Sequence, residues 1–179
     1  MKNKPIIKSK KYYYQGRIIN MRYDEVIIEG HETSREIVEH PGGAAALAVM
    51  NNKIYFVRQY RHPYYEDVLE VPAGKLEVGE KPIVTIKREL SEEVGIINAK
   101  IEESGVLYPS PGYSNEVIHL FYTDDFTVSD NTNCDEDEFL DLVVLDIHEA
   151  YQLLDEGKIV DAKTLVLLHK YRNRIFKKI

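Results

Sequence analysis

The chain has no tryptophan and a single cysteine, Cys134, among its 179 residues. One cysteine excludes an intrachain disulfide, so packing and hydrogen bonds must hold the fold together. No apolar run approaches the roughly 20 residues that a membrane-spanning helix needs, and none resembles the core of a secretion signal. These absences predict a cytoplasmic protein that has no membrane partner.

Positive charge is also in short supply. The 23 lysines and arginines are outnumbered by 30 aspartates and glutamates, which gives a formal net charge of -7. Proteins that bind nucleic acid normally carry a basic surface, so we expect no nucleic-acid partner here. A small anionic ligand that is held by a few local arginines remains compatible with this balance.

The most informative stretch of the sequence is residues 74–96, and its second half predicts a helix. Pro82 suits the first position of a helix, and Gly95 suits the residue just past its end. Apolar residues recur between them at steps of three and four, at Ile83, Ile86, Leu90 and Val94. This spacing predicts one apolar face that docks on a core.

Three glutamates of the same helix, Glu89, Glu92 and Glu93, lie on a different face, at positions i, i+3 and i+4. Carboxylates this close repel one another unless a hard divalent cation lies among them, and Mg2+ prefers carboxylate oxygens. The alternative is an ordinary solvated acidic face. Their fixed register with four other residues favours a metal site. The full set is Gly74, Glu80, Arg88, Glu89, Glu92, Glu93 and Gly95.

This set resembles the Nudix box, the signature of hydrolases that cleave nucleoside diphosphates linked to another moiety. Four further motifs are similar to the ADP-ribose pyrophosphatase branch of that family. They are Glu39-His40-Pro41-Gly42, Val57-Arg58-Gln59-Tyr60-Arg61, Leu69-Glu70-Val71-Pro72-Ala73-Gly74, and Ser110-Pro111-Gly112 with Glu116. The resemblance covers most of the chain after about residue 12.

The resemblance implies a fold, a reaction and an assembly. The expected fold is an α/β class Nudix α/β/α sandwich with a mixed sheet, plus a small N-terminal antiparallel sheet used in dimerisation. The expected reaction is hydrolysis of ADP-ribose to AMP and ribose 5-phosphate, with Mg2+ as the cofactor and Mn2+ able to replace it. The expected partners are a small nucleotide substrate and a second copy of the chain.

The resemblance also implies roles for individual residues. Arg88 and Glu92 are expected in catalysis, with Arg88 orienting the glutamates. The expected metal ligands are the Ala73 carbonyl, Glu89, Glu92 and Glu93. The expected substrate-binding residues are Arg35, Arg58, Glu70, Ser110, Gly112 and Glu116. Arg61 has a phosphate-binding interpretation as well, because guanidinium groups match phosphate oxygens.

Attack by water on a diphosphate also needs a base, which we expect in the acid-rich stretch 129–141. Glu136 and Glu138 are the two candidates, and the sequence favours Glu136 only slightly. On composition alone, this stretch is more typical of a mobile, solvated charge run. The absence of tryptophan leaves tyrosine or phenylalanine to stack on an adenine. Tyr12, Tyr13, Tyr14 and Tyr23 are candidates, and each is equally typical of a core or interface residue.

Residues 40–43, His-Pro-Gly-Gly, interrupt regular secondary structure and predict a domain boundary. Residues 1–40 are expected to form the N-terminal β extension, which dimerises and contacts substrate, and 41–179 the Nudix hydrolase domain. Within the extension, the lysine-rich residues 1–11 are expected to be frayed, and strands are expected at 12–14, 17–19, 26–28 and 36–38. Asp146 and Asp161 are expected to begin two later helices.

Two other functions remain open at this stage. One keeps the chemistry and changes the leaving group, giving a pyrophosphatase for another nucleotide sugar or a dinucleotide. The other is a non-catalytic Nudix module that only binds nucleotide. The presence of all the box glutamates argues against the second alternative.

Overall fold

The computed structural model describes residues 4–129 and 140–178. The chain divides into two compact units, each with its own set of contacts. The N-terminal unit contains the chain up to Gly42 together with Tyr108–Val117, and the larger unit contains Gly43–Leu107 and Ile118–Ile179. The loop that carries Ser110, Gly112 and Glu116 therefore belongs to the N-terminal unit.

The N-terminal unit is built on a three-stranded antiparallel sheet in the order β1-β2-β3. Its strands are β1 (Ile6–Gln15), β2 (Asn20–Ile28) and β3 (His31–Glu39). The central strand carries the few buried residues, Asp24 and Val26 at 2% and 5% exposure. The loop 108–117 attaches through Val38, whose N–H donates to the Tyr113 carbonyl and whose carbonyl accepts from the Asn115 N–H.

Two details of this sheet correct the sequence-based expectations. Strand β1 begins at Ile6, so the prediction of a frayed start over residues 1–11 is wrong for its second half. The ladder with β2 orders it although every residue of β1 is exposed, which is why composition gave no sign of it. Residues 17–19, predicted as a strand, lie in the turn between β1 and β2, which the Gly16 N–H closes by donating to the Ile19 carbonyl at 3.0 Å.

The larger unit is built on a seven-stranded mixed sheet. The strands are β4 (Gly43–Met50), β5 (Lys53–Arg61), β6 (Glu66–Glu70), β7 (Ala73–Lys75), β9 (Glu102–Leu107), β10 (Ile118–Thr123) and β12 (Leu140–Asp146). Their order is β12-β5-β4-β10-β9, with β6 paired to β5 and β7 paired to β4. The β4–β10 pair is parallel and the other pairs are antiparallel. Strands β8 (Ile96–Ile97) and β11 (Thr127–Val128) form a separate pair.

Helices cover both faces of this sheet. Strand β4 is buried almost throughout, and its side chains alternate between two cores. Ala44, Ala46 and Ala48 join the core under α1 (Pro82–Val94), while Ala45, Leu47 and Val49 join the core under α2 (Ile147–Asp155) and α3 (Ala162–Phe176). The predicted α/β/α sandwich with a mixed sheet is confirmed, and so is the small antiparallel N-terminal sheet.

The helix ends follow the sequence signals. Pro82 opens α1, and Gly95 ends it in the left-handed region at φ 67°. Asp146 and Asp161 cap α2 and α3 with their side chains, as predicted. Lys81, at the cap position of α1, makes no side-chain capping hydrogen bond. Within residues 4–129 and 140–178, no helix is long and apolar enough to cross a membrane.

Candidate active site

The helix α1 presents a chain of charged contacts that begins in the loop before it. The Glu80 carboxylate accepts from the Thr85 hydroxyl at 2.8 Å and from the Glu77 N–H at 3.2 Å, and the Thr85 bond lowers the pKa of Glu80. Arg88 Nε lies 3.8 Å from Glu80 Oε1, an ionic contact longer than a hydrogen bond. Glu80 therefore fixes the loop to the first turn of the helix.

Arg88 lies between the box glutamates and compensates their charge. Its Nη1 atom is 2.9 Å from both Glu89 Oε1 and Glu92 Oε2. Burial opposes the charge of the guanidinium, but Glu89, Glu92 and Glu80 outweigh it and raise the pKa of Arg88. The predicted role of Arg88 in orienting the glutamates is compatible with this geometry.

Two of the three glutamates are buried, which distinguishes this face from an ordinary solvated one. Glu89 and Glu93 are exposed by only 5% and 4%. Glu93 Oε2 accepts from the Ala73 N–H at 2.9 Å, so the helix is tied to the start of β7. A carboxylate is costly to bury without compensating charge and hydrogen bonds, so this arrangement needs cations close by.

Gly74 makes room for Glu89. A Cβ atom placed on Gly74 would overlap the Glu89 carboxylate, whose Oε1, Cδ and Cγ are its nearest neighbours. The absence of a side chain at this position therefore allows a glutamate to lie directly against the backbone of β7. This is a physical reason for glycine at the first position of the box.

The donor set at this place suits a hard divalent cation. The three box glutamates offer carboxylate oxygens, the kind of ligand that Mg2+ takes, and the Ala73 carbonyl is the predicted fourth ligand. In the part of the chain that the structure describes, no three His, Cys, Asp or Glu side chains are gathered into a ready metal cluster. Glu89 and Glu92 contact Arg88 instead. The residues present fit such a metal by the chemistry of their carboxylate oxygens, and the missing side chain at Gly74 leaves space for one of them, Glu89.

A second charged group joins β5, β6 and α3. Glu70 is exposed by 2%, and both of its oxygens are bound by Arg61, with Nε to Oε1 at 2.5 Å and Nη2 to Oε2 at 2.6 Å. Lys163, exposed by 7%, donates to the same Oε2 and also to Asp161 Oδ1 at 2.9 Å. The Glu70 carboxylate, predicted to bind substrate, is therefore already held by two cations.

Electrostatics tie this group to the box helix. Burial alone would raise the pKa of Glu70, but Arg61 and Lys163 overcome it and lower the pKa below its ordinary value. The bond to Glu70 raises the pKa of Arg61 against burial, and the charges of Asp161 and Glu93 add to it. The charge of the box residue Glu93 therefore favours the charged form of Arg61. The Arg61 side chain is 41% exposed. Arg58, predicted to bind diphosphate, is an exposed residue of β5 three positions earlier.

The remaining predicted substrate residues belong to the N-terminal unit. Arg35, on β3, donates to the Ser34 carbonyl at 2.6 Å. The Ser110 carbonyl accepts from the Ser114 N–H at 2.9 Å, which closes the loop on itself. Glu116 Oε1 lies 3.3 Å from His40 Nδ1. Gly112 is open to solvent, because a Cβ there would meet no atom within 4 Å.

Glu136 and Glu138, the two predicted bases, lie outside the described residues. Sequence reasoning missed Lys163 altogether. Its only local signal is its place two residues after the helix cap Asp161, since its partner Glu70 is 93 residues away in the chain. A buried lysine is recognised only when the acids that face it are known.

Comparison with known proteins extends these observations. The model of the NUDIX domain family matches residues 39–168. A protein of Bacillus methanolicus named methanol dehydrogenase activator is 43% identical over 156 residues, 86% of this chain and 84% of that protein. ADP-ribose pyrophosphatase of Bacillus subtilis is 37% identical over 159 residues, 87% and 86% of the two chains. GDP-mannose pyrophosphatase of Yersinia enterocolitica is 32% identical over 162 residues, 82% and 84%.

Proposed function

The chain belongs to the Nudix family and is a Nudix hydrolase, and from this premise we propose that it is a Mg2+-dependent ADP-ribose pyrophosphatase. The observation that carries the chemistry is the pair of buried carboxylates, Glu89 and Glu93, that α1 holds against β7. The substrate assignment is supported by the motifs shared with the ADP-ribose pyrophosphatase branch and by the 37% identity to the Bacillus subtilis enzyme of that name.

The reaction consumes one water and breaks one bond. The water oxygen attacks one phosphorus of the diphosphate, and the bond from that phosphorus to the bridging oxygen breaks. The bridging oxygen keeps the electron pair, so ADP-ribose and water give AMP and ribose 5-phosphate. The water proton passes to a carboxylate, which we assign to Glu136 or Glu138. A general base whose pKa lies near the working pH of the enzyme contributes a factor of roughly 10^2 to 10^4 to the rate.

The box residues form the metal-binding half of the proposed site. The Ala73 carbonyl, Glu89, Glu92 and Glu93 would hold Mg2+, and Mn2+ offers the same preference for oxygen ligands. When bound, the ion supplies Lewis-acid stabilisation of the charge on the diphosphate oxygens. Arg88 keeps Glu89 and Glu92 oriented, since its Nη1 contacts both carboxylates.

Arginines supply the substrate-binding half of the proposal. We assign Arg58 and Arg61 to the diphosphate, because guanidinium groups donate to phosphate oxygens in a fixed fork. Arg35 is assigned to the diphosphate or the ribose, and Ser110, Gly112 and Glu116 to the terminal ribose. Glu70 contributes by orienting Arg61, because its carboxylate is bound on both oxygens.

We also propose that the chain works as a homodimer through its N-terminal sheet. Strand β1 lies at the edge of a three-stranded sheet, and all ten of its residues are exposed. Its exposed side chains include Ile6, Tyr13 and Tyr14 at 61%, 59% and 58%. An edge strand of this length with apolar side chains normally has a partner.

A pyrophosphatase for nucleotide sugars is the second candidate, because the Yersinia enterocolitica relative is named for GDP-mannose. The Bacillus methanolicus relative is named as an activator of methanol dehydrogenase, and that name does not identify a small-molecule substrate. A binding module without turnover is the third candidate. The first two candidates differ in the products that they release, and the third releases none.

The deciding experiment is a substrate panel. Purified protein is incubated with Mg2+ and, separately, ADP-ribose, GDP-mannose, other sugar nucleotides and dinucleotides, and the monophosphates are quantified by chromatography. We expect AMP and ribose 5-phosphate in equal amounts, with the highest kcat/KM for ADP-ribose. Glu89→Gln should lose this activity, and Glu103→Gln, an exposed glutamate of β9, should retain it.

Two outcomes would move the assignment. A higher kcat/KM for GDP-mannose than for ADP-ribose would make the chain a nucleotide-sugar pyrophosphatase. Absence of any monophosphate, with tight ADP-ribose binding by calorimetry, would make it a binding module.

A further inference from the structure

Lys163 is a buried cation for which the proposed mechanism has no direct use. It lies in the first turn of α3 with 7% exposure, and its ammonium group contacts two carboxylates, Glu70 and Asp161. Burying a lysine is costly and is rarely done without a reason beyond filling space. Its position is therefore informative about the site that Glu70 serves.

The first turn of α3 is fastened to the segment that leads into the box. The Asp161 carboxylate accepts from the N–H and the hydroxyl of Thr164 at 3.0 and 2.6 Å. The Thr164 hydroxyl oxygen in turn accepts from the Val71 N–H at 2.9 Å. Asp161 and Thr164 thus place Lys163 beside Glu70, and they fix the backbone two residues before Ala73.

Lys163 determines how Glu70 can hold Arg61. With Arg61 alone, the carboxylate would keep some freedom to rotate together with the guanidinium. The contact from Lys163 to Oε2 restricts the rotation of the carboxylate. Because Arg61 donates to both oxygens of that carboxylate in a fork, its guanidinium is held in place as well. The two cations and two carboxylates balance in charge, so the group is stable when no anion is bound.

We propose that Lys163 is a positioning residue, which acts through Glu70 to hold Arg61 as an anion-binding group for the diphosphate of the substrate. The inference rests on the proposed function for the identity of that diphosphate. It assigns the exposed part of Arg61 to substrate and the Glu70 side of Arg61 to the scaffold. A small displacement of a binding group is enough to weaken the complex with substrate.

The test is a double-substitution cycle on Lys163 and Arg61, read in the KM and kcat for ADP-ribose with Mg2+. Lys163→Met in the otherwise unchanged protein should raise KM about tenfold, the size of one charge-assisted hydrogen bond, and change kcat less than threefold. Lys163→Met in an Arg61→Ala background should raise KM no further. Lys163→Arg, which keeps the charge, should recover part of the KM.

Lys158→Met serves as the matched control, because Lys158 is an exposed lysine that pairs only with Glu156 among the described salt bridges. It should leave KM and kcat at their original values. Circular dichroism and thermal unfolding of every variant verify that the fold is retained. If Lys163→Met does not fold, Lys163→Gln, which keeps a hydrogen-bond donor without the charge, replaces it in the cycle.

The inference would be overturned if Lys163→Met raised KM by the same factor in the wild-type and Arg61→Ala backgrounds. A lowered melting temperature with an unchanged KM would overturn it as well. If the wild-type protein hydrolyses a different diphosphate, the proposed function fails and the same cycle on that substrate decides the inference. If it hydrolyses none, the cycle is read in the dissociation constant for ADP-ribose. Absence of both turnover and binding would overturn both proposals.

Discussion

Gly74 shows how a single missing side chain shapes the candidate metal site. Its Cβ position is filled by the Glu89 carboxylate, so Gly74→Ala must displace that glutamate. We expect the apparent affinity for Mg2+ to fall about tenfold or more, since each carboxylate ligand counts heavily for a hard cation. The measurement is a titration of activity with Mg2+.

The control for Gly74→Ala is Lys87→Ala, an exposed position on the same helix that should leave the titration unchanged. Gly74→Ala combined with Glu89→Gln should be no worse than Glu89→Gln alone, because both remove the same ligand. Wild-type Mg2+ dependence in Gly74→Ala would refute the assignment of Glu89 as a ligand.

The general base is the second question at the scale of single residues. Glu136→Gln and Glu138→Gln are compared, since glutamine keeps the size of the side chain and removes its basicity. We expect kcat to fall at least ~10^2-fold in one of the two and KM to change little. Losses under tenfold in both would sink this assignment, and Glu103→Gln again serves as the control.

At this scale the sequence predicted the residue types better than their contacts. Glu89, Glu92 and Arg88 are neighbours on one helix, so their spacing was enough to predict that they would meet. Glu70 was predicted to touch substrate, and the structure shows its carboxylate held by Arg61 and Lys163. Contacts between distant parts of a chain depend on the tertiary fold, which no local pattern contains.

The helix α1 carries the box glutamates, and its N-terminus lacks a side-chain cap. Lys81 has the extended backbone of a capping residue, at φ -82° and ψ 139°, but its side chain makes no capping bond. Lys81→Ser should stabilise the protein by about 0.5–1.5 kcal/mol, because a hydroxyl there can accept from a free N–H of the first turn. The measurement is urea unfolding monitored by circular dichroism.

Lys81→Ala is the matched control, since it removes the lysine without adding an acceptor. It should leave the unfolding midpoint within the error of the wild type. An equal gain from serine and alanine would show that the charge of Lys81, and not a missing cap, limits the helix.

Whole elements were predictable where the burial period is strong. Helix α1 has three apolar residues that are fully buried, a proline at its first position and a glycine just past its end, so its ends were predicted to the residue. Strand β1 has no buried residue at all, so its first half could not be distinguished from a frayed lysine-rich end. Strand β1 is ordered by backbone hydrogen bonds with β2. The periodicity of side chains in a sequence does not reveal such bonds.

The architecture of the larger unit follows from β4 and the helices on its two faces. A strand with alanine on both faces accepts close helices on either side, which favours a sandwich. The assignment of Tyr108–Val117 to the N-terminal unit was not predictable, because that loop is joined to β3 by backbone bonds at Val38. Such pairings carry no mark in the side chains.

The exposed sheet of the N-terminal unit leads to a prediction about assembly. A three-stranded sheet with so little buried surface is marginal alone, and β1 offers exposed isoleucines and tyrosines and an open edge. We expect light scattering after size exclusion to give about twice the chain mass of 20.7 kDa. Ile6→Lys with Tyr13→Lys should place like charges at the contact and weaken the dimer at least ~100-fold.

The control pair is Val78→Lys with Val160→Lys, two exposed apolar residues of the larger unit, which should leave the dimer intact. Circular dichroism of both double variants verifies that the sheet survives. If dimerisation also supports the substrate residues of the N-terminal unit, the Ile6/Tyr13 variant should lose kcat/KM at low protein concentration and regain it at high concentration, because mass action restores the dimer. A wild-type protein of single-chain mass at micromolar concentration would contradict the assembly, and with it any role for a second copy of β1.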